Sequence, residues 1–360
     1  MQKAWVLRNI GEIKYSDVDT PVPKEDEVLI HVKCAGICGS DIPRIYETGA
    51  HKMPLVPGHE FSGVVEETGG NVDPSWLGKR VAVFPKIACK KCAQCRKGFF
   101  DMCQNYDYIG SRRDGAFAEY VISPAENLIP LPDNVCFDAG AMMEPLAVAA
   151  NAVRIGCCDK DTLPPVNEPV AVCGLGTIGL MTVMLLKEAG FKNIYVIGNK
   201  DFQKKMAEAL GIPDDHFCNS INEDVSDRLN KATDGGVSAY FECVGKNECI
   251  NYGLEATAPN GRLILIGNPQ SDMTFKRDDY WKILRKQLIV HGVWNSSFRQ
   301  VPSSDDRIDD WNYVLKKVTE NRIKPSELIS QKLKLSELDK GLNIMRYKTE
   351  DYCKIMIYVG

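Results

Sequence analysis

Val170-Ala171-Val172-Cys173-Gly174-Leu175-Gly176-Thr177-Ile178-Gly179 is the stretch on which the fold turns. Four apolar residues run straight into Gly-x-Gly-x-x-Gly, and residues 177–190 follow with helical length and period. A short apolar run of this kind reads as a strand buried on both faces. The glycines then have separate physical tasks. Gly174 permits the tight turn, Gly176 lets the backbone approach a pyrophosphate, and Gly179 brings helix against strand. Thr177 and Ile178 open the helix and turn its free N–H groups toward the phosphates. Alone the pattern is weak, because glycine is common; the strand–helix junction is what makes it specific for a dinucleotide.

Outward from this point, strand and helix alternate. Residues 193–198, 237–243 and 262–267 read as apolar strands, and 201–210 and 247–256 as helices, with Asp201 the expected N-cap of the first. Residues 287–294 form one more apolar run. Such alternation means βαβ units on a parallel sheet, hence an α/β fold with a doubly wound domain. Upstream the texture is β-rich, with short strands expected at 27–33 and 80–84. Residues 161–169 hold Pro164, Pro165 and Pro169 and read as a stiff linker. Downstream, 306–319 and 336–346 look helical and 352–359 looks like a closing strand. At 360 residues the chain exceeds what one core usually serves, so two domains are expected.

The strand at 193–198 ends in Gly198-Asn199-Lys200. A site for NAD would carry Asp or Glu there, to hold the ribose 2′-hydroxyl. Without a carboxylate, repulsion against a 2′-phosphate is gone. Lys200 adds attraction and Asn199 a donor, so NADP(H) is expected over NAD(H). The plain alternative is a solvated lysine and an enzyme indifferent to the phosphate.

Cys89-Lys90-Lys91-Cys92-Ala93-Gln94-Cys95 and then Cys103 place four thiols among charged residues. A core cysteine wants apolar neighbours, so packing does not explain the run. Four thiolates close a tetrahedral shell around Zn²⁺, which pins a loop. Lys90, Lys91, Arg96 and Lys97 offset the charge of such a site. An iron–sulfur reading is also possible for Cys-x₂-Cys-x₂-Cys, but no proline follows Cys103 and no second run exists. A disulfide reading has less behind it. Arg8 interrupts the N-terminus too early for a signal-peptide core, and fourteen cysteines without export signals suit a reducing cytoplasm. Cys34, Cys136, Cys157, Cys158 and Cys173 are expected to be buried small side chains.

A second set is more scattered: Cys38-Gly39-Ser40-Asp41, Gly58-His59-Glu60 and Glu144-Pro145. Thiolate, imidazole and carboxylate make a zinc set that leaves a position open for a substrate oxygen. Each residue alone reads otherwise, His59 as a satisfied core histidine and Cys38 as a small hydrophobe. Their coincidence with the cysteine run and the dinucleotide turn changes the weighting. Composition is that of a globular protein, with 44% hydrophobic and 26% charged residues. A net charge of −4 argues against a nucleic-acid or membrane-surface partner. A zinc-ribbon module would account for the cysteine run but not for the turn at 174–179. A zinc-free reductase would need no Cys38, His59 or Glu144.

In their order and spacing, Cys38, Gly58-His59-Glu60, the 89–103 run, Asp114-Gly115-Ala116-Phe117-Ala118-Glu119-Tyr120, Glu144-Pro145 and the 174–179 turn resemble the zinc-dependent medium-chain alcohol and polyol dehydrogenases. The resemblance covers nearly the whole chain. It implies a GroES-like β-rich catalytic domain, residues 1–153 and 294–360, with a structural-zinc lobe at 86–104. A Rossmann domain, 154–293, would interrupt it, with the active site in the cleft between them. On this resemblance Cys38, His59 and Glu144 hold a catalytic zinc, with Glu60 a near or alternate ligand. Cys89, Cys92, Cys95 and Cys103 hold the structural zinc. Subunits would form a homodimer or homotetramer through edge strands near 264–267 and 288–291.

Longer strings look like the galactitol-phosphate dehydrogenases within that family: Cys38-Gly39-Ser40-Asp41-Ile42-Pro43-Arg44-Ile45, Gly49-Ala50-His51, Tyr106-Asp107-Tyr108-Ile109-Gly110-Ser111-Arg112-Arg113-Asp114-Gly115 and Lys282-Ile283-Leu284-Arg285-Lys286. They imply oxidation of a secondary hydroxyl of a polyol phosphate to a ketose phosphate. Pentitol phosphates and unphosphorylated polyols are the alternatives. Gly198 departs from the expected acid. Pro43 falls where some members carry a relay histidine, so the proton would leave from Ser40 to water or through His51. Ser40 has the plain alternative of a helix cap. Arg112 and Arg113 are candidate clamps for a substrate phosphate, with Arg44 a third and Asn295, after Trp294, a candidate lining residue. Solvated loop charge is the plain reading of the arginine pair.

Overall fold

The computed structural model describes residues 1–157, 166–269, 271–298 and 309–360. Most of the linker expected at 161–169, Cys158 and the start of the helix expected at 306 lie outside these. Contacts divide the chain into two compact units: Met1–Glu144 with Ser297–Gly360, and Pro145–Ser296. The expected seam at 153/154 falls inside one continuous helix, Met143–Cys157, which carries Glu144 in its first turn.

The Pro145–Ser296 unit is built on six parallel strands. Their order is Phe217–Asn219, Ile194–Gly198, Val170–Cys173, Val237–Glu242, Thr257–Leu265, Ile289–Gly292. Val170–Cys173 lies inside the sheet, Cys173 facing Ile197 on one side and Glu242 on the other. All four of its residues are buried, which is why it reads as an unbroken apolar run. Ala171, Tyr240, Leu254 and Leu263 share one core face. The helix after Gly198 spans Asp201–Ala209 with Lys200, not Asp201, at its N-cap, because the strand runs on through Gly198 and leaves only two linking residues. The three-residue strand Phe217–Asn219 and the polar helices Val225–Thr233 and Arg277–Arg285 were not expected; short or strongly charged segments carry little period.

One edge expectation needs correcting. Ile264 is fully buried and pairs on both sides, with Phe241 and with His291, so 264–267 is no edge. Among the described residues Ile289–Gly292 ends the sheet on that side. All four of its residues are exposed, Ile289 at 48% and Val290 at 41%.

The other unit is organised on a sheet in which Ile329–Lys334, Lys354–Tyr358, Glu27–Gly36, Glu60–Thr68, Arg80–Val83 and Leu128–Pro130 follow one another, with Tyr120–Pro124 also on Glu27–Gly36. Only the first pair is parallel. Phe61, Phe117, Ile30 and Ile355 are sealed in its core; burial of each is worth roughly 1.5–3 kcal/mol. Cys34, Cys157 and Cys173 are buried, whereas Cys136 is exposed, contrary to expectation, because it sits at the N-cap just ahead of Phe137–Ala141. Among the described residues no helix is long and apolar enough to cross a membrane.

Candidate active site

Two segments bring Cys38, His59 and Glu60 together. Cys38 follows the strand Glu27–Gly36, and His59 and Glu60 stand at the start of the paired strand Glu60–Thr68. The backbone must bend sharply before His59, and Gly58 supplies it at φ +101°. Gly110 and Gly115 press on that bend: a Cβ on either would come within 2.4 or 2.1 Å of the Gly58 carbonyl oxygen. This is the physical content of the glycines in the strings at 106–115. One ligand atom from each of Cys38, His59 and Glu60 lies within 4.8 Å of the others, and His59 and Glu60 are buried.

Around the trio is a hydrogen-bonded shell. Asp41, fully buried, accepts the Cys38 N–H at 3.0 Å and pairs with Arg44. Its Oδ1 lies 3.5 Å from His59 Nδ1, which has no formed hydrogen bond. Ser40 stands at the N-cap of Asp41–Tyr46 but caps nothing; its hydroxyl donates to Cys38 Sγ at 3.3 Å. Lys354, 2% exposed, ion-pairs with Glu60 and donates to the Ile37 carbonyl at 3.0 Å. Gly36 makes room, since a Cβ there would meet Glu60 Oε2 at 2.4 Å. Glu144 stands outside the trio, buried, and accepts from Tyr108 Oη at 3.2 Å. The resemblance implied Glu144 as ligand and Glu60 as alternate; here Glu60 is the carboxylate grouped with Cys38 and His59.

The electrostatics fit a cation. Burial pushes the Glu144 carboxyl up to about 7, with Glu60 adding to the rise and His59 opposing it. Burial would hold the His59 imidazole down, yet Asp41 and Cys38 lift it well above its usual range. Lys354 and Arg44 already balance Glu60 and Asp41; it is the convergence of thiol, imidazole and carboxylate donors on one point that suits a divalent metal.

The lobe has a different character. Sγ of Cys92 lies 3.5 Å from Cys95 and 3.9 Å from Cys103, and all four sulfurs including Cys89 fall within 4.8 Å of one another. A Zn–S bond of about 2.3 Å implies sulfur–sulfur edges of about 3.8 Å, so the set fits a closed tetrahedral shell. Backbone N–H groups of Cys95 and Gln104 draw the Cys92 thiol down to about 6, toward thiolate.

At the dinucleotide turn, Gly174 has φ +91°, and a Cβ on Gly179 would meet the Gly174 oxygen at 1.9 Å. At Gly176, the N-cap of Thr177–Glu188, a Cβ meets nothing within 4 Å; that side is open to a ligand. Asn199 and Lys200 are exposed beyond buried Gly198.

The expected phosphate clamps have other partners. Arg113 is ion-paired with Glu27 at 2.7 Å, and Arg112 stacks on the Tyr106 ring at 4.3 Å with its buried Nε unbonded. Lys86 lies over the same ring, tying Arg112 to the base of the lobe. Arg44 is the arginine beside the trio, through Asp41 and through Ser40 Oγ at 3.5 Å. Asn295 turns inward, its Oδ1 accepting the Ser296 N–H at 2.8 Å, and Trp294 is 72% exposed. Sequence reading assigned no role to Asp41, Tyr108, Lys354 or Glu242. Lys354 had a signal, a lone charge heading the apolar run Lys354-Ile355-Met356-Ile357. So had Glu242, a carboxylate closing a buried strand, which accepts the N–H groups of Val244 and Gly245 at 2.7 and 2.9 Å.

Comparison with known proteins bears on the family and the fold. Residues 24–133 match the alcohol dehydrogenase GroES-like domain and 177–310 the zinc-binding dehydrogenase model. Galactitol 1-phosphate 5-dehydrogenase of Escherichia coli (strain K12) is 30% identical over 333 residues, 92% of each chain. L-Idonate 5-dehydrogenase of Vitis vinifera is 33% identical, covering 75% of this chain and 74% of its own. The crystal structure of galactitol-1-phosphate dehydrogenase from Escherichia coli superposes with TM-score 0.87 at 28% identity, over 99% of both chains. Two further structures at TM-score 0.87 and 99% coverage carry different coenzymes: a zinc-binding dehydrogenase from Sinorhizobium meliloti 1021 bound to NADP, 26% identical, and rspB from Escherichia coli CFT073 complexed with NADH, 25% identical. The chain is a member of the zinc-dependent medium-chain alcohol and polyol dehydrogenase family, an oxidoreductase with a GroES-like and a Rossmann-like domain.

Proposed function

We propose that this dehydrogenase oxidises a secondary hydroxyl of a sugar-alcohol phosphate to the ketose phosphate, reversibly, with two zinc ions per chain and NADP(H) in preference to NAD(H). The observation that carries the reading is the Cys38–His59–Glu60 group, His59 and Glu60 buried and Cys38 half-buried, with its ligand atoms within 4.8 Å of one another. Cys38 and His59, with Glu60 or Glu144, would hold one zinc, and Cys89, Cys92, Cys95 and Cys103 the other. When bound, the catalytic zinc polarises the substrate C–O bond and acidifies its hydroxyl, while the nicotinamide accepts hydride.

The chain's own residues do the positioning. Asp41 orients His59 and the Cys38 backbone together. The Tyr108 ring, 5.8 Å from that of His59, walls the group and keeps water from it. Ser40, hydrogen-bonded to Cys38, takes the substrate proton and hands it to solvent. Pro43 has no ionisable group, and no hydrogen bond joins Ser40 to exposed His51 among the described residues. Arg44 is the cation for a substrate phosphate. Arg44→Gln is expected to raise KM for a polyol phosphate by about tenfold or more, and for the free polyol by far less. Arg112→Ala is expected to change both alike. Steady-state kinetics on the two substrates check this, and equal effects of Arg44→Gln would remove the phosphate anchor.

The L-idonate 5-dehydrogenase relative supports a second reading, an unphosphorylated polyol acid or polyol. A screen of phosphorylated and free polyols with both coenzymes decides between them. The exposed edge Ile289–Gly292 supports a subunit interface by strand pairing. Val290→Lys is expected to turn an oligomer into a monomer on light scattering; an unchanged mass would discard this edge.

A further inference from the structure

Gly198 ends its strand where a nucleotide-selecting carboxylate is expected, and it is buried. A Cβ on it would meet Gln203 Oε1 at 2.9 Å and the Phe217 ring at 3.1 and 3.2 Å. The same Gln203 oxygen accepts the Asn199 N–H at 2.9 Å. Gln203 is the third residue of the helix Asp201–Ala209. It reaches back past the N-cap Lys200 to the N–H one residue before it, a longer reach than that of the third residue of a capping box. Only the oxygen of a carboxamide can accept from an N–H. The bond to Asn199 therefore fixes which end of the amide is occupied, and it leaves the NH₂, with two donors, available for a ligand.

We propose that Gln203 is a specificity-determining residue of the nucleotide site: its amide takes the place of the missing carboxylate and offers donors to oxygens at the ribose 2′ position, a 2′-phosphate above all. This rests on reading the Gly198–Lys200 turn as NADP(H)-selecting. It also changes how that selectivity is reversed. Gly198→Asp with Lys200→Ile would push the Gln203 amide aside and crowd the Phe217 ring, so it changes two features of the turn at once. Gln203→Glu moves no backbone, because a carboxylate accepts the Asn199 N–H as the amide oxygen does, while it turns a donor into a negative charge. That charge would repel a nearby 2′-phosphate whatever the amide does in the wild type, so Gln203→Ala, which removes the donor and adds no charge, separates a donor to the phosphate from a residue that only caps the helix.

The test titrates the intact chain with NADPH and NADH by fluorescence, and with 2′,5′-ADP and 5′-AMP as fragments free of nicotinamide. Wild type, Gln203→Glu and Gln203→Ala are compared. Gln203→Glu is expected to weaken NADPH and 2′,5′-ADP by about tenfold or more, with NADH and 5′-AMP within about threefold. Gln203→Ala is expected to lower the NADPH-to-NADH affinity ratio less steeply. A ratio within about twofold of wild type in Gln203→Ala, whatever Gln203→Glu does and whether or not overall affinity falls, overturns the proposal. A wild type that binds NADH more tightly than NADPH overturns the reading of the turn instead; the effect of Gln203→Ala on 2′,5′-ADP against 5′-AMP then still decides the role of Gln203.

Discussion

His59→Asn is expected to strip one of two zinc equivalents from each chain and to cut kcat/KM by well over about a hundredfold. Loss of even an outer partner of a metal ligand costs about 10–100-fold, and His59 is the imidazole of the group itself. Asparagine keeps much of the volume and a polar atom toward Asp41, so the buried shell need not collapse. The removed ligand leaves Cys38 and Glu60, with Glu60 already engaged by Lys354. Metal analysis by mass spectrometry, kinetics and circular dichroism are read together. A variant that keeps both metals and activity within about tenfold of wild type would contradict the assignment of His59.

Cys95→Ser is the second large effect, and it separates the two metals. The buried members of the lobe cluster are Cys92, Cys95 and Cys103, and among the described residues the partly buried hydrophobics packed against them are Ala88, Cys89, Phe100 and Tyr106. Phe99 and Met102 point outward, at 49% and 59% exposure. So small a cluster has little hydrophobic burial to hold it, and the metal shell has to supply the stability. The variant is expected to lose the lobe zinc, keep the one at Cys38 and His59, and open 89–103 to protease. A loss of ~2 kcal/mol would lower Tm by about 4–8 °C for a domain of this size. Retained resistance to cleavage with an unchanged Tm would mean that the loop stands without metal.

Much of this was legible in the sequence because the decisive elements carry short-range signals. The strand Val170–Cys173 is apolar on both faces, and Gly174 and Gly179 each answer a steric demand, while Gly176 leaves open space. The 89–103 run announces its chemistry because charged neighbours exclude a packing explanation. The shell around Cys38 was not legible. Asp41, Tyr108 and Lys354 come from three distant parts of the chain, and only the sheet that sets Lys354–Tyr358 beside Glu27–Gly36 brings Lys354 to Glu60. Arg112 and Arg113 show the converse limit. Two adjacent arginines in a loop look alike in sequence, yet one stacks on Tyr106 and the other pairs with Glu27. Gln203 was invisible for a third reason: its role depends on the space that Gly198 leaves empty.

Anomalous diffraction at the zinc edge, on crystals of the purified chain, tests the metal assignment most directly. The expected map has two peaks per chain. One lies about 2.3 Å from Cys38 Sγ and about 2.0–2.1 Å from a His59 ring nitrogen, with a Glu60 or Glu144 oxygen completing the set; the other sits at the centre of the four lobe sulfurs. A map with no peak between Cys38, His59 and those carboxylates would contradict it.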